Sequence, residues 1–326
     1  MLFLLIGLST TSHAGTIKLH LENDLLAGTD RHYTHGTRID YTFERLHVPS
    51  KLLWLQDNPL YPLRGRDFTL GFFVGQLMYT PEDISLEDPP SDDRPYAGWL
   101  YVGYQAQRNF TESDSDIGAF SYGRADRFAL SLGVIGKASG AEHVQKRVHK
   151  WTDSQRPEGW DNQIAQKAAI DVMYQHDWRV GHHFDNGWGA EVLPFAGGNL
   201  GNVFILGRLG AMFRAGYNIP DDFGVSPIRP TVFARAEEAP VQKFGAYVFV
   251  TTEGRLVLHN QLLTGSTPVE GQDIEREDWV SDLIWGVSTR LYERLAVDYM
   301  MIKRSKEFTT QRQSQHFAAV SVSYSF

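Results

Sequence analysis

From Phe317 to Phe326 the chain alternates. Ala318, Val320, Val322, Tyr324 and Phe326 fall on one face, and Ala319, Ser321, Ser323 and Ser325 on the other. A period of two is the mark of a strand with one apolar and one polar side. The pattern recurs. Leu283, Trp285, Val287, Thr289 and Leu291 alternate with Gly286, Ser288 and Arg290. Leu295, Val297, Tyr299 and Met301 alternate with Asp298 and Met300. Val203, Ile205, Leu209, Ala211, Phe213 and Tyr217 face away from Arg208, Gly210, Arg214 and Gly216. Arginines on the polar side of apolar strands suit a wet lumen and are costly in a dry core.

Twelve such runs lie near 15–23, 34–46, 67–79, 96–110, 125–136, 163–180, 187–198, 202–217, 244–261, 280–292, 294–304 and 315–326. An even number closes an up-and-down barrel with both termini on one side. The pattern therefore predicts an all-β fold, a twelve-stranded antiparallel transmembrane β-barrel with a short helix in an extracellular loop. Segment 229–239 is a further strand candidate.

The N-terminus changes this picture only by adding an address. Leu2 to Leu8 is a short apolar run, and Ser12-His13-Ala14 ends on a small residue, as a signal-peptidase site does, although no basic region precedes it. Residues 1–14 are expected to be a signal peptide and 15–326 the outer-membrane barrel domain. No other segment reaches the ~18 apolar residues of a membrane-spanning helix. The formal net charge of −8 and pI of about 5.8 argue against a nucleic-acid binder. The chain has no cysteine, which excludes disulfides and thiolate metal sites.

With the N-terminus in the periplasm, the connections at 24–33, 80–95, 137–162, 199–201, 262–279 and 305–314 fall on the outer side, and the first three carry the polar motifs. In the first, Glu22-Asn23-Asp24 and Tyr33-Thr34-His35-Gly36 offer hard oxygen donors for a cation, or ordinary turn chemistry. In the second, Arg94 follows Asp92 and Asp93 and leads into Pro95-Tyr96-Ala97-Gly98-Trp99. It suits a phosphate or an oxyanion, and equally a salt bridge beside an aromatic girdle. In the third, residues 141–151 predict a helix with an apolar stripe of Ala141, Val144, Val148 and Trp151, expected to dock on the barrel wall and close a groove. Gln145 and His149, spaced i, i+4, share another face. A neutral His opposite an acidic loop suits a base-plus-cation reading, with an exposed or capping residue as the plainer one. No Gly-x-Ser-x-Gly elbow, His-Glu-x-x-His signature or phosphate-binding loop is present.

Taken together, Glu22-Asn23-Asp24, Thr29-Asp30, Tyr33-Thr34-x-Gly36, Asp93-Arg94-Pro95-Tyr96-Ala97-Gly98-Trp99, Gly136-x-x-x-Gly140, Val144-Gln145-x-x-x-His149 and Gly159-Trp160-Asp161-Asn162-Gln163 resemble the outer-membrane lipid A 3′-O-deacylase family. The likeness runs from the first strand to the end of the chain and is densest over 15–165. It implies an active site between the outer wall and a helix of an extracellular loop. It also implies Ca²⁺-dependent ester hydrolysis of a phospholipase A₂-like kind, acting on the 3′-acyloxyacyl chain of lipid A. His149 matches the family's general base, Asn23, Asp24 and Thr34 its positions near the cation, and Arg94 a loop that presents a basic residue. One departure stands at Gln155, where some members carry a Glu tied to the calcium site. Gln155 offers a carbonyl oxygen without charge, and Asp153 and Glu158 are nearby acids. The expected metal ligands are Asp24, Asn23 and Gln155, and the expected partners are lipopolysaccharide and the outer membrane, for a monomer. The alternatives are an outer-membrane phospholipase-type esterase and a non-enzymatic barrel.

Overall fold

A computed structural model describes residues 15–24, 32–43, 68–110, 120–228, 243–268, 274–292 and 294–326. The expected signal segment and the strand candidate at 229–239 lie outside the described residues. Twelve strands form one closed antiparallel barrel: β1 (Gly15–Asn23), β2 (His32–Phe43), β3 (Phe68–Thr80), β4 (Ala97–Phe110), β5 (Phe120–Ile135), β6 (Lys167–His183), β7 (Trp188–Gly201), β8 (Phe204–Tyr217), β9 (Phe244–Asn260), β10 (Trp279–Leu291), β11 (Leu295–Arg304) and β12 (Gln315–Ser325). Each pairs with its neighbours in sequence, and β1 closes on β12, with Gly15 and Phe326 exchanging backbone hydrogen bonds at 3.2 and 3.0 Å. Between β5 and β6 lies the helix α1 (Ala141–Thr152), and a single turn, α2 (Gln261–Thr264), follows β9.

The twelve expected runs are the twelve strands, with shifted ends. β5 starts at Phe120, earlier than 125, because Phe120 and Tyr122 continue the outward apolar face. β6 starts at Lys167, later than 163, because Gly159–Asn162 is a 3-10 turn.

Outward positions carry exposed Leu19, Leu21, Val74, Val102, Leu283 and Val322, and inward positions are covered, with polar and charged groups set among core side chains such as Phe73 and Tyr101. Arg38 donates to Asp40 at 2.5 Å and to Gln105 at 2.6 Å inside the barrel. Arg214, one of the arginines expected to face the lumen, donates to Glu191 at 2.6 Å and to Asp222 at 2.5 Å. Buried charges need such partners.

Asp222 belongs to the connection after β8, which turns back into the lumen. Arg290 also pairs with it. Phe223 lies beneath the guanidinium groups of Arg127 and Arg179 at 5.8 and 5.4 Å, Val225 joins the core, and the Ile228 N–H donates to Glu22 near the far end of β1. Residues 218–228 thus climb the barrel interior and occupy part of it.

At the end holding both termini a tight turn, Phe184–Gly187, joins β6 to β7, and the outward surface carries a belt of rings. Tyr41–Phe43, Phe43–Phe72 and Trp188–Tyr217 are in ring contact at 4.8, 5.8 and 6.0 Å. The opposite end carries α1, the 81–96 connection and the single turn α2.

Candidate active site

Four adjacent strands build the wall of the candidate site at the loop end. Asn23 is the last residue of β1, and its Nδ2 lies 3.4 Å from Nδ1 of His35 on β2. The pairing of β2 with β3 shifts between Tyr33 and His35, a bulge of one residue. A bulge re-aims the side chain at the extra residue. Thr34 is that residue: Tyr33 turns inward to the core, while the Thr34 hydroxyl meets the Thr80 hydroxyl at 2.7 Å. The other ring nitrogen of His35 meets Thr37 at 2.5 Å. Asn23, His35 and Thr37 share the outward parity of exposed Leu21 and Ile39 on their strands, so this polar row sits on the outside of the wall.

α1 covers the same face on β3 and β4. The approach needs two glycines in the left-handed region, Gly136 at φ 83° and Gly140 at φ 68°. These are the ends of the Gly136-x-x-x-Gly140 motif, and other residues are strained in this conformation. Between them, Gln76 of β3 donates to the Ser139 carbonyl at 2.6 Å. Ala141 opens α1 and packs with Met78, Tyr96 and Trp160. Gly98 on β4 lies directly below, and a Cβ there would meet Ser139 and Ala141. Trp160 Nε1 donates to Gln145 Oε1 at 2.7 Å, which ties the Gly159-Trp160-Asp161-Asn162-Gln163 motif to the helix.

This docking corrects one expectation. The buried residues of α1 are Ala141, Gln145 and His149, not the stripe of Val144, Val148 and Trp151. Trp151 is 76% exposed and Val144 38%. The outer surface of a lipid-facing wall inverts the logic of a soluble helix: the apolar stripe has no need to dock, and the polar face can close over the wall.

His149 is only 4% exposed, and its Nδ1 lies 2.5 Å from the backbone oxygen of Gln155. A carbonyl only accepts, so Nδ1 carries a proton, and in the neutral imidazole the lone pair then falls on Nε2. Asp153, in the left-handed region at φ 53°, turns the chain back so that Gln155 can reach His149. Gln155 therefore meets His149 through its backbone; its side chain is exposed.

Arg94 takes a different place from the expected one. It is fully buried, its guanidinium lies over the Tyr79 ring at 4.3 Å, and Nη1 pairs with Glu307 at 3.2 Å. Tyr79 faces the barrel interior, so Arg94 joins the β3–β4 connection to the β11–β12 connection from within. Burial pushes the Glu307 carboxyl up, and Arg304 and Arg94 outweigh it and hold it below the ordinary range. Asp93 caps the same connection by accepting from the backbone N–H groups of Glu82 and Arg94 at 2.6 and 2.7 Å. Burial raises its carboxyl even so.

Asp24 follows Asn23 and is 0% exposed. Among the described residues no three His, Asp or Glu side chains cluster as a metal site. A cation here would be held by one carboxylate with amide and backbone oxygens, a donor set that suits a hard ion of the calcium class.

The family model described as "Outer membrane protein LpxR" matches residues 1–326. The chain belongs to the LpxR family. A solved structure similar to it is LpxR from Salmonella typhimurium, with a TM-score of 0.71 at 19% identity, covering 95% of this chain and 100% of that one. The β domain of the Bordetella autotransporter BrkA follows at TM-score 0.39 and 10% identity, covering 97% and 100% of the two chains. The KdgM porin follows at 0.38 and 9%, covering 95% and 99%. No curated protein matches the chain. As an LpxR family member with a closed twelve-stranded barrel, the protein resides in the outer membrane, and its loop end is the extracellular one.

The sequence assigns no role to Thr37, and to Thr80 only a place in the Tyr79-Thr80-Pro81-Glu82-Asp83 stretch, yet their hydroxyls join the row of Thr34 and His35. Thr37 carried a signal in the alternation of β2, two places from His35. The partnership of Thr80 depends on the bulge at Thr34, which no pattern of apolar positions marks.

Proposed function

We propose that this LpxR family member hydrolyses the ester that carries the 3′-linked acyloxyacyl chain of lipid A in the outer leaflet, in a calcium-dependent reaction with His149 as general base. The observation that carries this reading is the imidazole of His149, buried beneath α1 with its Nδ1–H fixed on the Gln155 carbonyl. That bond selects the tautomer whose Nε2 can accept a proton from water. Attack by the water on the ester carbonyl would then give a tetrahedral oxyanion, and its collapse would release the fatty acid.

Asp24 would hold the cation, with Asn23 and backbone oxygens completing its shell. Bound there, it would supply positive charge for the oxyanion. The Gln155 side chain is a ligand of this proposal only by swinging in from its exposed position. Thr34, fixed by Thr80, would orient water or substrate. Arg94 serves by holding two extracellular connections together rather than by touching lipid. The placement of the polar row and α1 on the outside of the wall fits a substrate that never leaves the membrane. Residues 218–228, running inside the barrel, speak against a wide-open pore.

The test is mass spectrometry of lipid A incubated with the purified protein, beside a glycerophospholipid as competitor. Loss of the 3′ chain should fall by about 10²–10⁴ in His149→Ala, the usual worth of a general base. It should also stop with EDTA and return with Ca²⁺. Acyl release from the phospholipid alone would move the assignment to a phospholipase, and full activity of His149→Ala would end the mechanism.

A further inference from the structure

α1 has three sides. At 3.6 residues per turn, Ala141, Gln145 and His149 share the buried side. Val144, Val148 and Trp151 lie on one flank of it, Glu142 paired with Lys146 on the other, and Lys150, His143 and Arg147 toward the outer side. The helix is thus apolar along one edge and carries its unneutralised basic residues on the side away from the wall. Interfacial helices at membranes show this combination, with Lys and Arg on the polar face and Trp on the apolar one.

Two observations say what covers the apolar edge. First, α1 sits on the outward face of β3 and β4. Lower on the same strands that face carries Phe72, Val74, Leu100 and Val102, all exposed, so the edge continues the lipid-facing surface of the barrel. Second, the aromatic belt is lopsided. The periplasmic end has its ring of Tyr41, Phe43, Phe72, Trp188 and Tyr217. At the extracellular end the exposed aromatic side chains among the described residues are Trp279 and Trp151. Outer-membrane barrels place aromatic residues at both interfaces, and Trp151 supplies what the strand ends on this side of the wall lack.

We propose that α1 is an interfacial helix, seated with Val144, Val148 and Trp151 among the acyl chains of the outer leaflet and with Arg147 and Lys150 at anionic lipid headgroups. The occupant of the exposed stripe is lipid, not a second protein. The inference goes beyond the proposed hydrolysis and does not depend on it, because it concerns where the helix lies rather than what His149 does. It also sets the depth of the site: the mouth between α1 and the wall opens at the boundary of chains and headgroups.

The absence of cysteine makes the test clean. Single replacements Val144→Cys, Trp151→Cys, His143→Cys and Arg147→Cys in the full chain carry a nitroxide label. The proteins are placed in bilayers of phosphatidylcholine and phosphatidylglycerol, and folding is checked by heat-modifiable migration. Collision rates with oxygen, which concentrates in lipid, and with a water-soluble nickel chelate report the surroundings of each label. Labels at 144 and 151 should collide more with oxygen, and labels at 143 and 147 more with nickel. Equal nickel accessibility on both edges would overturn the proposal. Spin–spin broadening at 151 between protein molecules would give the stripe to a second copy and overturn it as well.

Discussion

Replacing Gly98 by alanine tests whether the seat of α1 matters to the chemistry. Gly98 lies under the start of the helix, and a Cβ built there stands 2.5 Å from the Ala141 methyl and also meets Ser139. Carbon atoms rest at about 3.5–4.0 Å, so the start of α1 must lift by about 1–1.5 Å. A misplacement of about 1 Å in a catalytic group can cost on the order of 100-fold in rate. That is about 2.7 kcal/mol of transition-state stabilisation, at 1.36 kcal/mol per tenfold. The strand itself tolerates the change, because alanine fits any strand backbone, so the barrel should still fold. The assay is single-turnover release of the 3′ chain from lipid A, with heat-modifiable migration as the check on folding. Gly207→Ala is the control, since nothing lies within 4 Å of its added methyl. A folded Gly98→Ala protein that works at the parent rate would refute the reasoning: His149 would not need the position that α1 gives it.

Glu307→Gln removes the carboxylate that faces Arg94 and Arg304. A buried cation left without its partner costs about 3–5 kcal/mol, which should appear as a lower urea midpoint in detergent. The same carboxyl is held below its ordinary value, so its contribution to stability is complete above the unfolded value, about 4.3, and is lost as pH falls through the lower folded value. Proteolysis of the 81–96 connection should therefore accelerate in acid, and Glu307→Gln should abolish that pH dependence. Asp222→Ala deletes the carboxylate that Arg214 and Arg290 share, and should loosen residues 218–228. Parent protein should pass less current in planar bilayers than the variant, which should show larger conductance steps; equal conductance would contradict an obstruction by residues 218–228.

The barrel was legible because its strands obey a single rule. Each outward position needs an apolar residue against lipid, so alternation survives along Leu283–Leu291 or Ala318–Phe326 without help from distant contacts. The arginines on the polar face were readable for the same reason, as Arg208 and Arg214 line the interior. The placement of the polar motifs at one end followed from counting strands. What escaped was everything that depends on which surface a loop meets. The stripe on α1 was visible, yet its direction was read by the rule of soluble proteins, and the membrane reverses that rule. Arg94 was visible as a basic residue among acids, but its partner Glu307 lies 213 positions away and could not be paired by eye. The role of Gln155 was assigned to its side chain, whereas the bond to His149 runs through its backbone, to which side-chain identity is silent.

Asn23 stands at the seam of the barrel, paired on one side with His35 and on the other with Ala318 of the last strand. The first strand of the chain therefore reaches its final place only when the last one arrives. The row of Asn23, Thr34 and Thr80 can form within β1–β3, yet Asn23 gains its second neighbour only when the seam closes. If the proposed hydrolysis needs that neighbour, the appearance of acyl release during refolding would time the zipping of the seam.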